Sequence, residues 1–191
     1  MQTRALLVSL FLVLPSSLLA QDPPFRAGQW AAQFAGGASF VSIGAIKFKS
    51  PTRALVLDLR VSGFHREGFT ADTLDGINSQ ASISLLIGRR WYRPAADKVV
   101  VQHSLGIQGG FQHFVSIDPF LGKASQNGWG GGPFAELGAV YLITPHFGIG
   151  ATGTASITYT NSTGESFGGL KTHSWSLGGN TAIFFSAALF F

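Results

Sequence analysis

From Trp175 to Phe191 the chain alternates. Trp175, Leu177, Gly179, Thr181, Ile183, Phe185, Ala187, Leu189 and Phe191 share one parity. Ser174, Ser176, Gly178, Asn180, Ala182, Phe184, Ser186, Ala188 and Phe190 share the other. A strand sends alternate side chains to opposite faces, so this stretch predicts a strand with one apolar face and one that is small or polar over its first half. The same period of two recurs upstream. It predicts strands over about 29–36, 41–49, 53–64, 79–92, 99–112, 129–143 and 147–160, eight in all with the last. The cleanest sets Leu55, Leu57, Leu59 and Val61 against Val56, Asp58, Arg60 and Ser62.

The connections alternate too. Pro51, Pro94 and Pro145 mark tight turns, whereas 65–78, 113–128 and 161–171 read as long polar loops. The link near Gly37 is short and departs from that rule. Hairpin after hairpin of this kind predicts an all-β fold, an eight-stranded antiparallel up-and-down β-barrel. Gly138, Gly150 and Gly153 fall inside strands, where they allow curvature and close packing.

Alternation leaves two barrels open. A soluble lipocalin-like barrel would bury the apolar face and expose the polar one. A transmembrane barrel would do the reverse. Only 12% of the residues are charged, and 25 glycines and 17 phenylalanines fit strands better than solvated helices. The strand-borne charges Asp58, Arg60, Arg90, Glu136, Lys47 and Lys49 mostly share a face with Ser, Thr and Gln. Aromatic residues fall at strand ends. Trp30, Phe48, Trp91, Tyr141 and Phe191 would mark one interface, and Phe64, Tyr159 and Trp175 the other. The chain ends on a bare aromatic residue. These features favour lipid outside. Eight strands leave a bore that side chains can fill, so Asp58, Arg60, Arg90 and Glu136 are expected to pair as a polar lumen network that closes it. A gate or narrow pore through that network is the alternative.

The first twenty residues stand apart. Arg4, an apolar run over 5–14 and a small-residue end at Ala20 read as a signal peptide, 1–20. Residues 21–27 are a Pro-rich lead-in, and 28–191 the barrel. No segment beyond residue 20 approaches eighteen consecutive apolar residues, so no helix is expected to span a membrane. With no cysteine there is no disulfide and no thiolate to hold a metal. The net charge of +4 is mild and its cations are scattered, so nucleic acid is not an expected partner. Gly130, Gly131 and Gly132 precede no helix and make no phosphate loop. No cofactor is called for.

Taken together, the alternating strands, the Pro-marked turns and the terminal Phe191 resemble the small outer-membrane β-barrels of diderm bacteria, such as the outer membrane protein A and X barrels. The resemblance covers about residues 28–191 and is one of pattern. It implies a bacterial outer-membrane location, contact with outer-membrane lipid and both termini in the periplasm. It also implies a C-terminal signal for the barrel-assembly machinery. Phe191 and Leu189 match that signal, while Ser186 stands where glycine is common and Phe184 where a polar residue is common.

Two lipid-modifying enzyme types are known on such barrels, a deacylase and a palmitoyltransferase. The deacylase's His-x-Ser pair is missing, and His103 and Ser104 are adjacent, so a strand sends them to opposite faces. The loops carry His65, Glu67, Asp72, Asp75, His113, Ser116, Asp118 and His173 without metal-ligand spacing, and Phe114, Ile117, Phe120 and Leu121 as apolar contacts. The expected role is therefore structural or binding, with an extracellular ligand meeting 65–78, 113–128 or 161–171. A narrow pore and a lipid-modifying enzyme are the alternatives.

Overall fold

A computed structural model describes residues 24–38, 40–70 and 73–191. The signal peptide expected over 1–20 lies outside them. The strands are β1 (Trp30–Gly37), β2 (Phe40–Ser50), β3 (Arg53–Thr70), β4 (Thr73–Ala96), β5 (Val99–Asp118), β6 (Gly122–Thr144), β7 (Phe147–Glu165) and β8 (Lys171–Phe190). Each pairs antiparallel with the next, and β1 returns to β8 to close the barrel. Over the height where all eight strands pair, closure removes the sheet edges that a bilayer cannot solvate.

The outward face is apolar: Leu55, Leu57, Leu59, Ile83, Leu85, Ile87 and Phe185 are exposed. Asp58, Arg90 and Glu136 are buried inside. A water-soluble body would reverse this arrangement, so the outer wall is a lipid-facing surface. Trp30, Tyr141, Tyr159 and Trp175 project outward, and Trp91 is half-buried against His103. Trp129 joins Tyr159 at the upper girdle, ring centroids 6.4 Å apart, an aromatic pair that strand ends alone did not single out.

Three expectations fail. Phe48 does not lie at the interface but is fully buried inside the barrel. Lys47 and Lys49 point outward, not into the lumen. Both errors have one cause. Near the chain termini the bore itself is apolar and the outer wall meets headgroups, so polarity there no longer tells the faces apart. Third, 65–78, 113–128 and 161–171 are not loops. Outside 71–72, they are strand continued as three hairpins, interrupted only over 119–121 and 166–170. Crossing a bilayer takes about ten tilted residues, and β5 and β6 run to 20 and 23. Past the bilayer both faces meet water, so the alternation fades while the backbone ladder continues. His65, Arg66 and Glu67 are all exposed for this reason.

The first hairpin does not follow. β1 pairs with β8 only as far as Gly37 opposite Phe184, and β2 with β3 only as far as Phe40 opposite Ser62. Above these pairs β8 is bonded to β7 alone and β3 to β4 alone. Two strands' width of wall is missing there, a slot between β3 and β8. Residues 171–181 of β8 are exposed on both faces as a result.

Candidate functional site

The bore has three layers. At the end carrying both termini it is sealed by an apolar plug. Phe25, from the lead-in, is 2% exposed and packs on Phe48, Phe190 and Tyr92 with ring centroids 4.5, 5.0 and 4.9 Å away. Ile46, Val100, Val140 and Leu142 complete it. The prolines of the lead-in predict no more than an approach to the barrel. Its aromatic cork is invisible in the sequence because nothing local fixes where Phe25 goes.

Above the plug lies a charged layer. Strand parity turns Asp58 and Arg60 of β3, Arg90 of β4 and Glu136 of β6 inward, and the structure joins all four. Glu136 bridges two guanidiniums: Arg60 Nη2 donates to its Oε1 at 2.6 Å, and Arg90 Nη2 to its Oε2 at 2.9 Å. Arg60 Nε donates to Asp58 Oδ2 at 3.0 Å. Arg90 also donates to Gln33 Oε1 at 2.6 Å and Ser104 Oγ at 2.8 Å, partners that strand parity alone does not pick out. Arg60 lies between the rings of Phe40 and Phe184, 5.1 and 5.2 Å from their centroids. Two cations and two anions thus balance, each with hydrogen bonds, which is the condition for holding charge away from water. Asp58 Oδ1 has no hydrogen-bond partner among the described residues. Beside this layer Phe134 lies over Gly88 and Gly106, where a Cβ on Gly106 would fall 2.7 Å from the ring.

The third layer is open. A cavity of about 380 Å³ lies above Arg60, walled by Ser82, Ser84, Gln108, Ser156 and Thr158. Asn180 and Thr181 bring it to the β8 edge of the slot. Its polar side chains are mostly hydroxyls and amides beside Phe40, some already paired: Gln108 Nε2 reaches past β6 to Thr158 Oγ1 at 3.0 Å, and Ser62 meets Ser82 on the adjacent strand at 2.7 Å. The result is a polar cup whose floor is the ion-paired Arg60, open at the hairpin end and through one flank.

The remaining candidates do not converge. His103 is exposed on the outer wall and stacks on Trp91, while Ser104 is buried in the bore. His65 pairs with Ser79 at 2.7 Å and Glu67 at 3.3 Å, and His113 with Asn127 at 2.7 Å, on separate hairpins. Asp118 Oδ1 accepts the amides of Phe120 and Leu121, each at 2.8 Å, and so shapes the turn. Phe120 at that tip is 92% exposed. No three metal-ligating side chains gather among the described residues. Leu189 and Phe191 face outward, with Phe191 bonded to Trp30 through both backbone groups.

Neither a family model nor a curated protein matches the chain. Solved structures do. A major outer membrane protein from Thermus thermophilus is 11% identical with a TM-score of 0.63, covering 85% of this chain and 99% of that one. OprG from Pseudomonas aeruginosa is 12% identical at 0.56, with 89% and 99% covered. By fold this is an eight-stranded β-barrel like those of bacterial outer-membrane proteins. The outer membrane protein AlkL, 12% identical at 0.55 over 93% and 97% of the two chains, shares that architecture. At such identities the likeness is one of fold, and the cup, plug and slot are read from this barrel's own residues.

Proposed function

We propose that this outer-membrane barrel is a binding protein whose ligand enters a blind polar cup from outside the cell. The observation that carries this is the cup above a bore closed by two layers, the charge ring and the aromatic plug. A passive pore needs a continuous bore, and here the charged layer and the aromatic plug fill it with side chains. The orientation puts the three long hairpins outside and the tight turns and both termini in the periplasm, as is usual for such barrels. The hairpins at 65–78, 113–128 and 161–171 then form the approach to the cup.

The lining favours a neutral ligand rich in hydroxyl or amide groups, since Arg60 beneath it is already paired with Asp58 and Glu136. The slot supports a more specific version. Its β8 edge carries Leu177 and Ile183 in the lipid-facing row, so a polar head in the cup could trail an apolar tail into the bilayer. No catalytic role is proposed, since His103 and Ser104 face opposite sides of the wall. Outward Phe191 and Leu189 support recognition by the barrel-assembly machinery.

Titration calorimetry on the folded barrel with a panel of saccharides and alkyl glycosides tests the reading. Saturable heat is expected for at least one glycoside, abolished by Ser156→Phe, which fills the cup. Ohmic single-channel steps from the unaltered barrel in a planar bilayer would overturn it.

A further inference from the structure

The outer wall near the chain termini is not uniform. On β6, β7 and β8 its outward positions there are Leu137, Ala139, Tyr141, Ile149, Ala187 and Leu189, with no cation. On β2, β3 and β4 the corresponding positions include Lys47, Lys49, Arg53, Arg89 and Arg93. Snorkelling cations that merely anchor a barrel have no reason to gather on one arc.

The register places these groups closely. Trp30, Lys47, Leu55, Arg89 and Leu105 stand opposite one another across β1 to β5, and Arg53, Trp91 and His103 form a second row on the same face. Lys47 and Arg89 are two strands apart, about 10 Å, with Arg53 beside them, so three long side chains can meet over one point. Lys47 Nζ sits 4.7 Å above the Trp30 ring on one flank. On the other flank Trp91 and His103 stack, 5.2 Å apart and tilted by 9°. That flat surface explains an imidazole on a lipid-facing wall. Lys47, Arg53 and Arg89 enter no ion pair among the described residues. Arg89 lies two residues further into the apolar band than Trp91, between Leu55 and Leu105. A lipid-facing arginine grows costlier with depth, and a phosphate oxygen pair offset from the bilayer surface is the ligand a guanidinium binds best.

We propose that Lys47, Arg53 and Arg89 hold the phosphate of an anionic phospholipid, with the Trp91–His103 stack against its glycerol and upper acyl carbons. Given the orientation proposed above, that lipid belongs to the periplasmic leaflet. The site itself does not depend on which end faces out, because a symmetric test bilayer offers the lipid to both ends.

Spin-labelled phosphatidylglycerol and phosphatidylcholine, compared by electron paramagnetic resonance on the full barrel in phosphatidylcholine vesicles, supply the test. Each cation near an anionic lipid surface contributes about fivefold. The unaltered barrel is therefore expected to immobilise phosphatidylglycerol about tenfold or more in preference, with the preference falling as salt rises. The triple variant Lys47→Gln/Arg53→Gln/Arg89→Gln is expected to lose it, and Lys123→Gln/Lys171→Gln, at the other end, to keep it. Heat-modifiable gel mobility checks folding. If the triple variant does not fold, Arg89→Gln alone is expected to lower the preference about fivefold. Equal immobilisation of the two lipids, or a preference that survives removal of these cations, overturns the proposal. Neither result bears on whether the cup binds a ligand.

Discussion

Removing Glu136 should damage the barrel more than any other single change in its charged layer. Its side chain is 3% exposed, and its two oxygens take bonds of 2.6 and 2.9 Å from Arg60 and Arg90. In Glu136→Ala the bore keeps two guanidiniums facing each other. Arg60 retains Asp58, but Arg90 retains only neutral partners, the side chains of Gln33, Ser104 and Tyr92. Breaking a buried pair by deleting one partner costs about 3–5 kcal/mol. Glu136→Gln keeps the shape and one acceptor and gives up the charge, so about 2 kcal/mol is expected, near the worth of one bond to a charged group. Replacing both partners with apolar side chains, Arg90→Met/Glu136→Leu, should cost less than Glu136→Ala, because it leaves no orphaned ion. Reversible urea unfolding in detergent or lipid, followed by tryptophan fluorescence, measures all three. At a slope of about 2 kcal/mol per molar, Glu136→Ala should lower the midpoint by roughly 2 M. A loss under about 1 kcal/mol for Glu136→Ala, or a double variant weaker than the single, would show that water already solvates these charges and that the layer does not close the bore.

Other consequences can be checked separately. Arg60→Ala and Glu136→Ala should give no steps in planar-bilayer recordings, because the plug below still seals the bore, whereas Phe25→Ala/Phe48→Ala combined with Glu136→Ala should give them. Gly106→Ala should destabilise by about 1–3 kcal/mol, as its Cβ meets the Ile87 carbonyl, Gly88 and Phe134. Gly109→Ala, whose nearest neighbour is the Gly130 carbonyl oxygen at 3.7 Å, should be close to neutral in the same unfolding assay. Phe120→Ser, at a fully exposed hairpin tip, should leave the unfolding midpoint within about 0.5 kcal/mol of the original while removing any loss of solubility that the tip causes in detergent-poor buffer.

What could be read from the chain, and what could not, follows from where lipid ends. Between the girdles each outward position meets acyl chains and each inward one meets the bore, so Leu55 and Asp58 sort by parity alone, and so do Arg90 and Glu136. An ion cannot be placed against lipid without a large cost, which is why four scattered charges could be assigned to one interior from sequence. Beyond the girdles that contrast vanishes. His65, Arg66 and Glu67 look like loop because water lies on both sides of them, although they are paired strand. Below the girdle the bore turns apolar, so Phe48 and Lys47 exchange the sides that their polarity suggests. Phe25 obeys no period at all, and only the assembled mouth of the barrel gives it a place.

The slot belongs to a third kind of information. The shortness of the link near Gly37 is visible in the chain, but its meaning requires the register. Only when Gly37 is set opposite Phe184, and Phe40 opposite Ser62, does it emerge that β8 and β3 continue past their neighbours. A missing pair of strands leaves backbone groups of β8 and β3 without a ladder at a depth where water is scarce. The polar cup immediately behind them offers those groups water, in keeping with the chemistry of Asn180 and Thr181 on its rim. The breach in the wall is therefore tolerable because the lumen behind it is lined by polar side chains, and the plug and the Glu136 bridge close that lumen lower down. Slot, cup and plug depend on one another: filling the cup with apolar side chains should make the short first hairpin a liability, and lengthening that hairpin to reach the height of β3 should leave the cup intact while closing its flank.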